Sequence, residues 1–419
     1  MSASPIRAVI APDAFKGSCS AVEAAHAIAE GARAALGPSA QIRTIPLADG
    51  GEGTLDALTA AWGGRIRLVT ARDALGRDRE ARIGLSADGT TAIIEAAEAN
   101  GLPHVADQPL RALDADSAGV GALVHAAVDA GARELLLCLG GSATSDGGAG
   151  MLRALGVALL DADGAPIAPG ARGLAALARV DTSGVLPAVR EVRWRIAVDV
   201  DHPLTGPAGA AAVFGPQKGA SPDEVARIDA GLTRLAELLA HAEPAAGSGS
   251  GSGAGAGSAG FAAALATQAG LGAAGGLALG PFALWGAELL PGAELVAEAA
   301  GLDAALQDAD LVVTGEGRVD ASSLSGKVLS RVLSGVARGA EDRAPDGATE
   351  PARPRVAVIA GEVALPAEDC RAAGFSAFSL APGPATLPEL RAAAPRLLAE
   401  TAAQLCGLLA PPAGSAPRA

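Results

Sequence analysis

"IRAVIAPDAFKGSCSAVEAAHAIAEGARAALGP", residues 6–38, holds one complete strand–loop–helix unit. The run 6–12 is short, apolar and rich in Val and Ile, which predicts a buried strand. Residues 13–20 are a polar loop. Ser20 and Glu23 have capping-box spacing, so a helix should begin at Ser20. Val22, Ala25, Ile28, Ala29, Ala32 and Leu36 then fall on one helical face, and Gly37-Pro38 stops it.

The same grammar returns along the chain. "QIRTIPLA" (41–48) leads into "DGGEG" and the helical "TLDALTAAW". "ELLLCL" (134–139) leads into "GGSATSDGGAG", "VRWRIAVDV" (192–200) into "DHPLTG", and "DADLVVTGEG" (308–317) into "RVDASSLSGK". "RVAVIAG" (355–361) is a further strand, and a last helix is expected from about Leu387 to Leu409. Strand, loop and helix in repetition predict an α/β protein with parallel sheets and right-handed crossovers. In such sheets ligands gather at the carboxyl ends of the strands, where each of these loops lies.

Composition narrows the function. With 419 residues, two domains are expected. The net charge of −14 argues against nucleic acid or an anionic membrane as partner, but leaves room for a small anion at a locally positive site. Cys19, Cys138, Cys370 and Cys406 are too dispersed for a metal site or a disulfide framework, and no apolar run approaches ~20 residues. A cytoplasmic protein with reduced thiols is the expectation. The Gly/Ser run 247–260 reads as a mobile segment, 341–354 as a solvent loop and 411–419 as a disordered tail.

Three lysines stand among 32 basic residues, so 29 are arginine. Lys16, Lys218 and Lys327 all lie in glycine-bearing loops. An ammonium is a compact point charge, whereas a guanidinium is a wide planar fork. Keeping Lys at these places suggests contact with phosphate oxygens in a confined space, against the plainer reading of ordinary loop lysines. The 140–150 loop has the glycines and the hydroxyls of Ser142 and Thr144 that suit an anion; its plainer reading is a tight turn. Asp49 and Glu52 share one loop and are equally readable as helix caps or as a base or Mg²⁺ site. Asp199, Glu316, Asp320 and Asp146 add carboxylates at predicted strand ends. There is no P-loop motif: "LSGKV" lacks the earlier glycine and the Ser/Thr after its lysine. With no Tyr and five His, a general base should be a carboxylate.

Six stretches in order resemble the bacterial glycerate kinase family of glyoxylate and sugar-acid breakdown: "APDAFKGSCSA", "PLADGGEGT", "GGSATSDGGAGM", "DVDHPLTGPAGAAAVFGPQKGA", "GAAGGL" and "TGEGRVDASSLSGK". Ser145 stands where that family commonly has Asn, and Asp201 and His202 where it has Asn or Thr. The resemblance implies phosphorylation of D-glycerate, at carbon 2 or carbon 3, with ATP and Mg²⁺. It implies a flavodoxin- or Rossmann-like parallel-sheet domain from both chain ends, 1–69 and 286–410, with a second α/β domain, 70–285, inserted. A homo-oligomer is compatible with it. Within that reaction, Asp49 or Asp199 would orient the acceptor hydroxyl, and Lys16 and Lys327 would act on the phosphate. Ser18, Gly50, Gly51, Gly140, Gly141, Ser142, Thr144, Asp146, Lys218, Gly315 and Gly317 would line substrate or phosphate. Glu316, Asp320 and Glu52 would hold the metal. Two other readings stay open: an NAD-dependent hydroxy-acid dehydrogenase, although no G-x-G-x-x-G follows a strand, and a non-catalytic small-anion binder.

Overall fold

Strand β1, Arg7–Ile10, buries Ala8, Val9 and Ile10. The computed structural model to which it belongs describes residues 5–242, 258–342 and 353–409. The Gly/Ser segment lies outside them up to residue 257, as do the tail at 411–419 and most of the stretch 341–354. Ser258 already begins a helix, Ser258–Thr267.

The chain forms two units. The first takes Met1–Asp49, Asp56–Ala61 and Ala293–Ala419; the second takes Gly50–Leu55 and Trp62–Gly292. In the first, β1 joins β2 (Gln41–Thr44), β11 (Leu311–Val319), β12 (Arg355–Val363) and β13 (Ser376–Ser379). All pair in parallel, in the order β13-β12-β11-β1-β2. After β1 the chain adds β2 on one side, then returns to build outward on the other. This is the flavodoxin-like order, and its switch point falls between β1 and β11.

The expected first helix is Ala21–Leu36. Ser20 caps it with Glu23 in a capping box, and Gly37, at φ +82°, ends it. Its buried face packs with the helix Ala394–Gly407 over β1, β11 and β12. A Cβ on Gly31 would stand 1.9 Å from the Ala399 carbonyl oxygen, so this helix crossing requires glycine there. The single helix expected over 387–409 is two, Leu387–Ala392 and Ala394–Gly407. Pro395 explains the break: it has no N–H to continue the first helix's ladder, and it stands in the first turn of the second, where none is needed.

The second unit holds β3 (Arg65–Arg72), β4 (Asp78–Leu85), β5 (Thr91–Glu95), β6 (Glu134–Cys138), β9 (Arg193–Ala197) and β10 (Glu288–Leu290), ordered β10-β9-β6-β5-β4-β3. β7 (Ala158–Leu160) and β8 (Arg179–Asp181) form a separate hairpin. β5, β6, β9 and β10 are parallel, as expected. β3 and β4 are antiparallel, which the parallel reading did not anticipate. Their turn is built by Asp73, whose carboxylate accepts from the Leu75 and Arg77 N–H groups, with Gly76 at φ +83°. β3 runs through the residue-69 boundary expected from sequence, and β10 pairs within this unit.

Candidate active site

At the switch point the pairing of β1 with β11 continues past the end of β1. Ala11 N–H donates to the Val313 carbonyl and Asp13 N–H to the Gly315 carbonyl, each at 2.8 Å. A Cβ on Gly315 would lie 2.5 Å from the Ile359 oxygen and 3.1 Å from the Phe15 ring, so the strand ends close only around glycine. The chain then makes a small loop. Phe15 N–H donates to the Cys19 carbonyl at 2.9 Å, and Ser18 and Cys19 N–H groups donate to the Phe15 carbonyl at 2.8 and 3.1 Å. Phe15 and Cys19 are buried anchors, while Lys16 and Gly17 form the exposed tip, with Gly17 at φ +74°. Lys16 is thereby presented over a cavity of about 400 Å³, whose wall also holds Asp13, Ser18, Asp49, Glu316 and Lys327.

This wall concentrates charge. Asp13 is pushed up to about 7, chiefly by burial, then by Asp49 and, less, by Glu316; the Ala14 N–H, 2.6 Å from Oδ1, and Lys16 oppose the rise. Burial also raises Glu316, against the Ser323 hydroxyl and the Lys327 charge. Glu316 Oε1 is buried with no hydrogen-bond partner among the described residues. Lys327 Nζ donates to Ser322 Oγ at 2.9 Å. Asp320 stands apart from the cavity wall. Its Oδ1 caps a short 3-10 turn, accepting from Ser322 N–H and Oγ at 2.9 and 2.7 Å, and these bonds hold it below the usual carboxylate range. Glu52 is exposed and belongs to the second unit. Among the described residues no three His, Cys, Asp or Glu side chains group to hold a metal ion. A Mg²⁺ here would therefore rest on one or two carboxylates together with water and substrate oxygens, as is usual for that ion.

The 140–150 loop of the second unit is different inside. Gly140 and Gly141 are exposed, and Ser142 through residue 150 are buried. Asp146 is fully buried. Its Oδ2 accepts from Ser117 N–H (3.0 Å), Ser117 Oγ (2.8 Å) and Gly150 N–H (3.0 Å), and its Oδ1 from Gly148 N–H (3.1 Å). The start of the helix Ala149–Ala154 is thus occupied by the loop's own carboxylate. Thr144 Oγ1 accepts from Asn100 Nδ2 at 3.0 Å. Lys218 is buried, and its Nζ donates to the Thr144 carbonyl at 2.6 Å and to Ser142 Oγ at 3.2 Å. Burial lowers it to about 8, against the pull of Asp146. Gly50, Gly51, Gly140 and Asp199 come together in this unit. A Cβ on Gly50 would stand 3.3 Å from Asp199 Oδ2, and one on Gly140 would stand 3.3 Å from Gly51 Cα. Asp199 Oδ1 accepts from Gly292 N–H at 2.8 Å, tying the end of β9 to the chain after β10.

Comparison with known proteins bears on the whole chain. Residues 8–410 match the model of the glycerate kinase family. The chain belongs to the glycerate kinase family. A Bacillus subtilis (strain 168) protein named glycerate kinase is 44% identical over 322 residues, 77% of this chain and 79% of its own length. The Escherichia coli (strain K12) glycerate 2-kinase is 41% identical over 323 residues, 77% of this chain and 80% of its own. A solved structure of a glycerate kinase 2 candidate from Salmonella typhimurium LT2 superposes with a TM-score of 0.79 at 39% identity, covering 96% of this chain and 98% of that one. Of the three readings the residues left open, the match is with the kinase.

Phosphoryl transfer needs an oriented acceptor hydroxyl, cations on the phosphate oxygens and carboxylates for a metal. Three carboxylates, two lysines and one hydroxyl line the cavity: Asp13, Asp49, Glu316, Lys16, Lys327 and Ser18. Asp13 is the residue sequence reasoning missed. Its position directly after β1, in "APD", was the available sign, since a strand's carboxyl end is where such sheets place ligands.

Proposed function

We propose that the chain transfers the γ-phosphoryl group of ATP to D-glycerate with Mg²⁺, giving 2-phosphoglycerate, and that it works in the cytoplasm. The observation that carries this reading is geometric: Asp13, Asp49 and Glu316 line one cavity with two of the chain's three lysines, and burial pushes Asp13 up to about 7. A base poised near neutral pH takes a hydroxyl proton efficiently. Asp13 accepts the proton of the glycerate hydroxyl as its oxygen bonds to phosphorus and the bond to the departing ADP breaks. Lys16 and Lys327 meet the phosphate oxygens. Glu316, through its unpartnered Oε1, and Asp49 would hold Mg²⁺, which when bound neutralises phosphate charge. Transfer to carbon 2 is supported by the name of the Escherichia coli relative. The four free, buried cysteines suit a reducing compartment.

Phosphorus NMR with D-glycerate and MgATP tests this. New ADP and a phosphomonoester signal coupled to the carbon-2 proton are expected. Coupling to the carbon-3 protons would move the product to 3-phosphoglycerate, and an unchanged ATP spectrum from folded protein would overturn the reading.

A further inference from the structure

The cavity beside β1 and β11 is longer than the charged cluster at its wall. The sheet order spreads it: Asp13 and Asp49 follow β1 and β2, Glu316 lies in β11, Gly361 and Glu362 end β12, and Leu380 follows β13. Neighbouring strands lie about 4.8 Å apart, so three strand spacings, roughly 14 Å, separate the Asp13 end from the Leu380 end. Part of the lining is apolar: Leu380, Leu387, Leu390 and Ala394, with Arg391 among them. Leu387 is 58% exposed, and the helix that carries it, Leu387–Ala392, has no buried residue. An exposed leucine on a short helix gains nothing from the core, yet it helps wall the same cavity as Lys16 and Lys327. Arg391 joins this apolar lining to the Lys16 loop: its guanidinium atoms lie 3.4–3.6 Å from where a Cβ on Gly17 would stand.

We infer that the Leu380–Leu387–Leu390 end receives the purine ring of the nucleotide, with Arg391 reaching from it to the triphosphate. The inference rests on the kinase reading above, and it assigns the base-selecting residues that reading leaves open. The physical argument is one of matching. A purine nucleotide is a flat, weakly polar ring joined to a strongly anionic tail. The cavity offers apolar side chains and cationic ones in one lining that reaches along the sheet from Asp13 to Leu380. Binding pockets are commonly lined in this way, mostly apolar with a few placed charges.

The test compares two ligands on two variants. ATP carries ring and tail; inorganic tripolyphosphate carries the tail alone. Leu387→Ser should weaken ATP binding by roughly tenfold or more, the scale of losing one apolar pocket contact. It should leave tripolyphosphate affinity and the KM for glycerate within about threefold of wild type. Arg391→Ala should weaken both ligands. Both side chains are exposed, so circular dichroism should show intact folds. Unaltered ATP affinity in folded Leu387→Ser overturns the inference, as does an equal loss for ATP and tripolyphosphate. A fall in kcat with ATP binding unchanged also overturns it, since that marks a cover over the reaction rather than a ring site. If wild type binds ATP in this Leu387-dependent way but phosphorylates no glycerate, the ring site stands and the glycerate reading fails. If it phosphorylates glycerate and Leu387→Ser binds ATP normally, only the ring site fails.

Discussion

The loop at residues 15–19 of the first unit and the loop at 140–150 of the second both follow a buried parallel strand, and both bear glycine. By length and glycine count the second is the richer candidate for an anion. Inside it, however, the charged groups have internal partners, while Ser145 Oγ and Asn100 Oδ1 are buried without one among the described residues. Asp146 takes the N–H groups at the helix start, Lys218 takes the Thr144 carbonyl, and Asn100 takes the Thr144 hydroxyl. The first loop turns its anchors, Phe15 and Cys19, inward and its lysine outward. Beside it, Asp13 and Glu316 are held above their ordinary pKa range and one Glu316 oxygen has no partner among the described residues. Unmet polar capacity facing a cavity marks a site better than a glycine-rich spelling does.

Substitution of the two key aspartates should separate the loops most sharply. Asp13→Asn should lower kcat by roughly 10²–10⁴, the range for losing a general base, while the protein stays folded. Steady-state turnover beside a thermal melt checks this. Near-normal kcat would pass the role of base to Asp49. Lys16→Arg comes next. If the loop tip admits an ammonium and not a guanidinium, turnover should fall by about 10². Normal turnover in the folded variant would reduce Lys16 to a solvated loop residue.

Asp146→Ala should do the reverse. It removes a fully buried carboxylate that accepts four hydrogen bonds and leaves their donors unmet. The loss of stability should be roughly 3 kcal/mol or more, read from denaturant unfolding. The folded fraction should keep its KM for ATP. A stable Asp146→Ala protein that had lost nucleotide binding would overturn the contrast and restore 140–150 as the phosphate cradle.

Much of the scaffold was legible because its causes are local. The capping box at Ser20, the stop at Gly37 and the apolar runs of β1, β6, β9, β11 and β12 are short-range patterns, and all are present. The β3–β4 hairpin was not legible, because Ile66 and Leu68 are exposed and the strand lacks a clean apolar face. Site chemistry was the least legible. Asp13 acquires its environment only when β1 pairs with β11, about 300 residues later, a contact marked by Thr314 Oγ1 donating to the Ala11 carbonyl. Nothing in "SATSDGG" states whether Asp146 or Lys218 has internal partners; packing decides that.

A last measurement sharpens the comparison furthest, because it reads Asp13 directly. An ordinary Asp titrates at 3.8, and Asp13 in the fold near 7. Between those values the folded protein holds a proton that the unfolded chain has released, so the contribution of Asp13 to stability falls as pH rises from about 4 to about 7 and is constant outside that window. Asp13→Asn lacks this group. Its melting temperature should drop less than that of wild type between pH 4.5 and pH 7.5, and at pH 7.5 it should be the more stable protein. The same ionisation should appear in catalysis with opposite benefit: kcat/KM, which reports the free enzyme, should rise through about pH 7 as Asp13 becomes a base. A melting difference that ignores pH would mean Asp13 is charged throughout, and the site would then have to work as a fixed array of anions gathered for a metal. Parallel shifts in both profiles would tie the cost in stability to the gain in activity at one carboxylate.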